Sequence, residues 1–363
     1  MKNNTLQKSG LSTGAITLVQ SIKLGLDVHV DSITVVRVVD GQGPQPGQRF
    51  KPEAFLHWFK KQLAAARNVY ACYEAGPLGF GLQRTLSALG AVCYVVRPRK
   101  WDEYGSCVKT DKRDAHELAL CLDRFVSGNS KAFAVVRVPS PEEEQRRSLS
   151  RHRQTLLKEV QRLAQQGRGV ALYFGERLEI TRWWGPAAWL KLAGSWPAHV
   201  VRILSSLRQV IVAAEEELKE VTRELEEASA PAELPLGMGR LTSQLLEREV
   251  MDWSRFGSAR QVSSYTGLCP SEDSSGPRRF QGSINKHGNR RLRPLLVECM
   301  WRLTRFQPTY RVVQKWKPLL EAPRVTSARR KKIIVAMARQ FAVDWWRVRT
   351  GRAAMADLGL IGA

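Results

Sequence analysis

The 363-residue chain is poor in acid. It has 34 Asp and Glu against 57 Lys and Arg, for a formal net charge of +23 and a pI near 10.2. No stretch approaches the ~20 apolar residues that cross a bilayer. The polar start, MKNNTLQKSGLSTGAITLVQ, has no apolar core of a secretory signal. Both absences point to a cytoplasmic protein with no membrane partner. The six cysteines (Cys72, Cys93, Cys107, Cys121, Cys269 and Cys299) include no CxxC pair, and no histidine pair completes a zinc pattern. A zinc module or disulfide scaffold is thereby excluded, and buried thiols in a reducing compartment are expected. No internal repeat is found, so the chain is not a solenoid.

What is present is positive charge, unevenly placed. Residues 278–352 hold 20 Lys/Arg against Glu298, Glu321 and Asp344, a net of +17. Such a field suits a polyanion, and nucleic acid leads over an anionic membrane surface. The run EEELKEVTRELEE (215–227) has the opposite sign, with seven Glu, and reads as a solvated face or partner contact.

Residues 1–20 read as a flexible tail. IKLGLDVHV (22–30) and SITVVRVVD (32–40) are β-branched and read as paired antiparallel strands. GQGPQPGQ (41–48) is a loop, PEAFLHWFKKQLAAA (52–66) a helix, NVYACYEA (68–75) a strand, LGFGLQRTLSALG (78–90) a helix and AVCYVVRP (91–98) a strand. A further helix starts at Asp111. This alternation predicts an α/β domain over 21–135. Two long charged helices, 139–167 and 197–229, predict a coiled-coil arm over 136–230. Residues 231–352 are expected to be mainly α around one glycine-rich loop, with 353–363 a tail.

Four carboxylates have chemistry-bearing positions. Asp27 lies on the first strand, Glu74 ends another, and Asp111 and Asp114 open the helix after the last. Strand ends and adjacent loops are where α/β sheets place functional groups. Two carboxylates at ~4 Å repel by roughly 4 kcal/mol at an effective dielectric near 20. A hard divalent cation, Mg²⁺ or Mn²⁺, removes that conflict and assists in-line displacement at phosphate. Taken singly, Asp111 is equally well a helix cap.

The second informative stretch is YTGLCPSEDSSGPRRFQGSINKHGNRRLRPLL (265–296). Gly276, Gly282 and Gly288 let backbone approach a ligand. Arg278, Arg279, Lys286, Arg290, Arg291 and Arg293 are placed to hold phosphates, as is the patch Arg329, Arg330, Lys331 and Lys332, which otherwise reads as a solvated run. Ser274 and Ser275 sit at the turn, either as turn-forming hydroxyls or as a nucleophile activated by neighbouring cations.

The order D…E…DxxD resembles the RNase H/RuvC-like DEDD domain of the serine-DEDD insertion-sequence transposases, which are bridge-RNA-guided recombinases. KTDKRDA is similar to that family's K-T-D-x-x-D-A, and YEAG to its E-A-T/S-G without the small hydroxyl residue. Gly267–Pro270, Ser275–Gly276, Gly282–Gly288 with Lys286, and Leu292–Arg293 resemble the C-terminal signature G-L-x-P, S-G, G-x-I-x-K-x-G, L-R, with Pro277 in place of a common glycine. LPLGMGRLTSQLL loosely resembles a helix-hairpin-helix-like segment.

The resemblance implies an RNase H/RuvC-like first domain, Mg²⁺ (or Mn²⁺) held by Asp27, Glu74, Asp111 and Asp114, and Ser275 as the nucleophile that forms a covalent link to DNA. It further implies a dimer to tetramer with acids and serine from different protomers, and a structured guide (bridge) RNA. Two alternatives stay open: a junction nuclease using only the acids, and a non-catalytic nucleic-acid-binding protein.

Overall fold

The computed structural model describes residues 19–98, 110–228, 233–275 and 278–363, without the side chains of Ser274, Ser275 and Arg279. Most of the expected N-terminal tail, Cys107, Gly276 and Pro277 therefore lie outside the described residues. The chain divides into two compact units, Met1–Val138 and Pro139–Ala363.

The first unit contains β1 (Val19–Val28), β2 (Ile33–Val39), β3 (Gln48–Phe50), α1 (Pro52–Ala65), β4 (Ala66–Glu74), α2 (Gly81–Ala88), β5 (Val92–Val96) and α3 (Asp111–Val126). Its sheet runs in the order β3-β2-β1-β4-β5. β1, β2 and β3 form an antiparallel meander, and β4 and β5 extend it in parallel with β1. β3 falls at the end of the stretch expected to be a loop, where only three residues pair. Side chains alternate between the two faces. Leu24, Leu26, Ala71 and Tyr73 pack on one face with Phe55 and Phe59 of α1 and Leu86 of α2. The other face receives α3, whose Ala115 and Ala119 meet Val36 and Val38, and whose Leu118 and Leu122 meet Cys72 and Val96.

Gly25 explains how closely α3 sits. A Cβ there would lie 2.2 Å from the Ala115 carbonyl and 2.3 Å from the Ala119 amide. The helix backbone thus rests on β1 at a point where any side chain would hold it off.

The second unit begins with α4 (Pro141–Tyr173), opened by a reciprocal capping box between Ser140 and Glu143. The helix runs past its expected end through Gly167, where the Trp183 ring occupies the space that a Cβ would take. α5 (Pro186–Ser195) and α6 (Ala198–Glu227) follow. α4 and α6 pair in antiparallel sense: Val160, Leu163 and Ala164 share a core with Val200, Leu204 and Ile211, while Arg153 donates to Thr222.

Beyond the arm come α7 (Arg240–Val250), α8 (Ala259–Thr266), β6 (Pro270–Ser275), β7 (Arg278–Ile284), α9 (Leu292–Phe306), α10 (Arg311–Leu320) and α11 (Ser327–Arg349). The helices enclose the largest core, centred on Leu246, Met300, Leu303, Ile334, Met337 and Phe341. Two expectations are corrected. The described residues of the glycine-rich stretch up to Ile284 are not a loop but pair as an antiparallel hairpin from Pro270↔Ile284 to Ser275↔Arg278, and residues 285–289 are irregular. Residues 353–363 are not a tail: Leu358 and Leu360 are buried in that core. Gln307 donates to the carbonyls of Leu236 and Ile361 and accepts from the Ile361 amide, which satisfies both backbone groups of Ile361. Among the described residues, no helix is long and apolar enough to cross a membrane.

Candidate functional site

The acidic residues are positioned by sheet register and one helix start. Leu26 pairs laterally with Tyr73, so Asp27 and Glu74, each one step further, stand side by side at the ends of parallel strands. Asp27 alternates with Gly25, and Glu74 with Cys72. All four positions therefore belong to the α3 face of the sheet. Thr110 caps α3, its hydroxyl accepting from the Arg113 amide. Because the cap is supplied by Thr110, Asp111 and Asp114 are left in the first turn, where the helix dipole favours their charge.

Asp27 and Asp111 are joined by a residue that the sequence reading left out. His29 Nε2 lies 3.2 Å from Asp27 Oδ2 and 3.8 Å from Asp111 Oδ1. One ligand atom from each of Asp27, His29 and Asp111 falls within 4.8 Å of the others, and neither Glu74 nor Asp114 joins that group. Arg49 of β3 approaches Asp111 Oδ2 at 4.0 Å and donates to the Ser32 hydroxyl. Burial raises the Asp27 carboxyl above its ordinary range; the charges of Asp111 and Asp114 push it further up, against the pull of His29. Two oxygen donors and an imidazole, with carboxylates that disfavour each other's charge, fit a divalent cation. Asp-x-His on one strand end was the available signal for His29, since residues two apart share a face.

The serine region lies in the second unit. The backbone of Ser275 ends β6 opposite Arg278, and Ser274 is opposite Arg279; the side chains of Ser274, Ser275 and Arg279 lie outside the described residues. Arg278, Lys286 and Arg290 are exposed, as is the run Arg329, Arg330, Lys331 and Lys332 at the start of α11. That run places four cations in the first two turns of α11, with no acid in the first turn to offset the dipole, an arrangement that a bound anion would stabilise. Arg293 and Arg291 have protein partners instead. Arg293 donates to the carbonyls of Lys286 and Gly288, which braces a turn where Lys286 has a φ of 58°. Arg291 donates to Gln154 of α4 and lies 3.8 Å from Glu249.

Glu249, 3% exposed, is the hub of this region. It accepts from Arg151 of α4 at 3.1 and 3.3 Å and from Asn289 at 3.0 Å, while Tyr265 of α8 donates to its backbone carbonyl. Burial alone would raise its carboxyl, but the hydrogen bonds from Arg151 and Asn289 and the charges of Arg151 and Arg291 bring it below the usual value. Gly288 packs beside this hub rather than facing a ligand: a Cβ there would lie 2.2 Å from the Gly267 amide and the Tyr265 carbonyl.

Residues 234–314, which include the hairpin and the Glu249 hub, match the model of the transposase IS116/IS110/IS902 family. A putative transposase, y4qE, of Sinorhizobium fredii is 32% identical over 314 residues, covering 79% of this chain and 77% of the relative. The chain belongs to the IS116/IS110/IS902 transposase family. A second putative transposase of Sinorhizobium fredii, y4rJ, is 30% identical over 304 residues, with 76% and 75% covered. The transposase for insertion sequence element IS1533 of Leptospira borgpetersenii is 26% identical over 302 residues, with 78% and 85% covered. This transposase is thus an insertion-sequence protein whose family acts on DNA by cutting and rejoining it.

Proposed function

We propose that the transposase cuts and rejoins DNA through a serine–DNA intermediate, assisted by Mg²⁺ or Mn²⁺ at an RNase H/RuvC-like acidic site. The observation that carries the reading is the register. It sets Asp27 beside Glu74, on the face where α3 delivers Asp111 and Asp114. The strand order β3-β2-β1-β4-β5, an antiparallel meander extended in parallel, supports the RNase H/RuvC-like assignment.

A bound divalent ion would supply charge neutralisation at the scissile phosphate. Asp27 and Asp111 would hold it, with Glu74 and Asp114 completing the acidic field. The Ser275 hydroxyl oxygen forms a bond to phosphorus as the bond from phosphorus to one deoxyribose oxygen breaks. The serine proton passes to solvent, and the departing oxygen gains one. The reverse exchange rejoins the strand with no external energy source. Arg278, Arg279, Lys286 and Arg290 would position the backbone phosphates. Acids and serine belong to separate units, and we place them in trans, in a dimer to tetramer with a structured guide RNA that selects the DNA.

The test is trapping on labelled DNA with the RNA transcribed from sequence flanking the reading frame. Protein-linked label should form with the wild type and vanish with Ser275→Ala. Loss with Ser274→Ala alone would move the nucleophile by one residue. Strand cleavage that survives both substitutions but not Asp27→Ala would support a nuclease using the acids alone.

A further inference from the structure

We propose that His29 is a ligand of the acidic site and gives it a preference for Mn²⁺ over Mg²⁺. The inference rests on the metal reading above and deepens it. His29 follows β1 directly and, two positions after Asp27, returns to the same face. Its single Nε2 addresses both aspartates, at 3.2 Å and 3.8 Å. Neighbouring ligands of an octahedral ion with bonds of ~2.1 Å stand ~3 Å apart. The His29–Asp27 separation of 3.2 Å is close to that spacing, the His29–Asp111 separation of 3.8 Å is somewhat wider, and all three atoms lie within 4.8 Å of one another.

The ring is carried on a short, fixed connection. The His29 amide donates to the Ser32 carbonyl at 2.9 Å, so β1 turns into β2 without slack. The side chain is 54% exposed, which leaves its outer side open for water or a phosphate oxygen to complete the coordination. Both ions favour oxygen donors, but Mn²⁺, a transition-metal ion, accepts an imidazole nitrogen among them more readily than Mg²⁺, which takes oxygen almost exclusively. A site with His29 in it binds the two ions unequally; a site of aspartates alone discriminates less. If His29 were only a hydrogen-bond bridge between the carboxylates, its removal would weaken both ions alike.

The experiment titrates Mn²⁺ into the full chain, measures ¹⁴N coupling by pulsed EPR, and measures Mg²⁺ by competition. Wild-type protein should bind Mn²⁺ with a nitrogen coupling that His29→Ala and His29→Gln both lose. Mn²⁺ affinity should fall about tenfold in these variants, with a much smaller change for Mg²⁺. Bound Mn²⁺ without nitrogen coupling in the wild type, coupling that persists in His29→Ala, or equal losses for both ions would overturn the assignment while leaving the acidic site standing. Failure of the metal reading itself looks different: the wild type binds no Mn²⁺, or Asp27→Ala binds it unchanged. Either result removes the inference as well.

Discussion

Asp27 carries a charge that its surroundings oppose. Its folded carboxyl titrates above the ordinary value because of burial and the charges of Asp111 and Asp114. Between the unfolded and folded pKa values the folded state holds the extra proton, so stability falls as pH rises through that window and the penalty persists above it. Asp27→Asn should therefore raise the melting temperature of metal-free protein at neutral pH, by more than at pH 3, and abolish stabilisation by added Mn²⁺. Thermal melts at the two pH values, with and without the ion, check both. Gly25 makes the opposite case. Gly25→Ala drives a methyl into the Ala115 carbonyl and should cost about 1–3 kcal/mol by denaturant unfolding, since helix backbone cannot step aside as a flexible side chain would. The placement of Asp27, Glu74 and Asp111 on strand ends and a helix start was legible in sequence from the alternation of strands and helices. His29 was missed because its one signal, two residues past an aspartate on a shared face, gains meaning only when α3 brings Asp111 beside it.

At the scale of elements, the strands and helices of the first unit, apart from the three-residue β3, could be read from β-branched runs and helical spacing. The hairpin of β6 and β7 could not. Its Ser, Gly and Arg content gives neither alternation nor apolar content, and its pairing is visible only once backbone partners are known. The last residues were misread for the reverse reason: Leu358 and Leu360 are too few to form a periodic pattern, yet both are buried. Leu360→Ala should destabilise the second unit by about 2–5 kcal/mol, measured by chemical denaturation. Glu249→Ala should cost about 3 kcal/mol, at the low end for a buried pair because Arg151 is 36% exposed. In Glu249 the folded pKa is depressed, so its contribution is present above the unfolded value and lost as pH falls through the folded one. Glu249→Gln should flatten that acid limb.

For the molecule as a whole, the net charge of +23 anticipated a polyanionic partner before any fold was known. Its contribution is testable without sequence specificity. Replacing Arg329, Arg330, Lys331 and Lys332 by alanine should reduce the slope of log affinity against log salt by about 3–4 on duplex DNA, as four fewer phosphates release counterions. An unchanged slope would mean that this run does not touch the backbone.

The arm and the hairpin also share a joint. One buried carboxylate, Glu249, is gripped by Arg151 from α4 and by Asn289 from the turn that follows β7. The start of α4 and the turn after β7 are fastened to one side chain, so neither can shift without stretching a bond to Glu249.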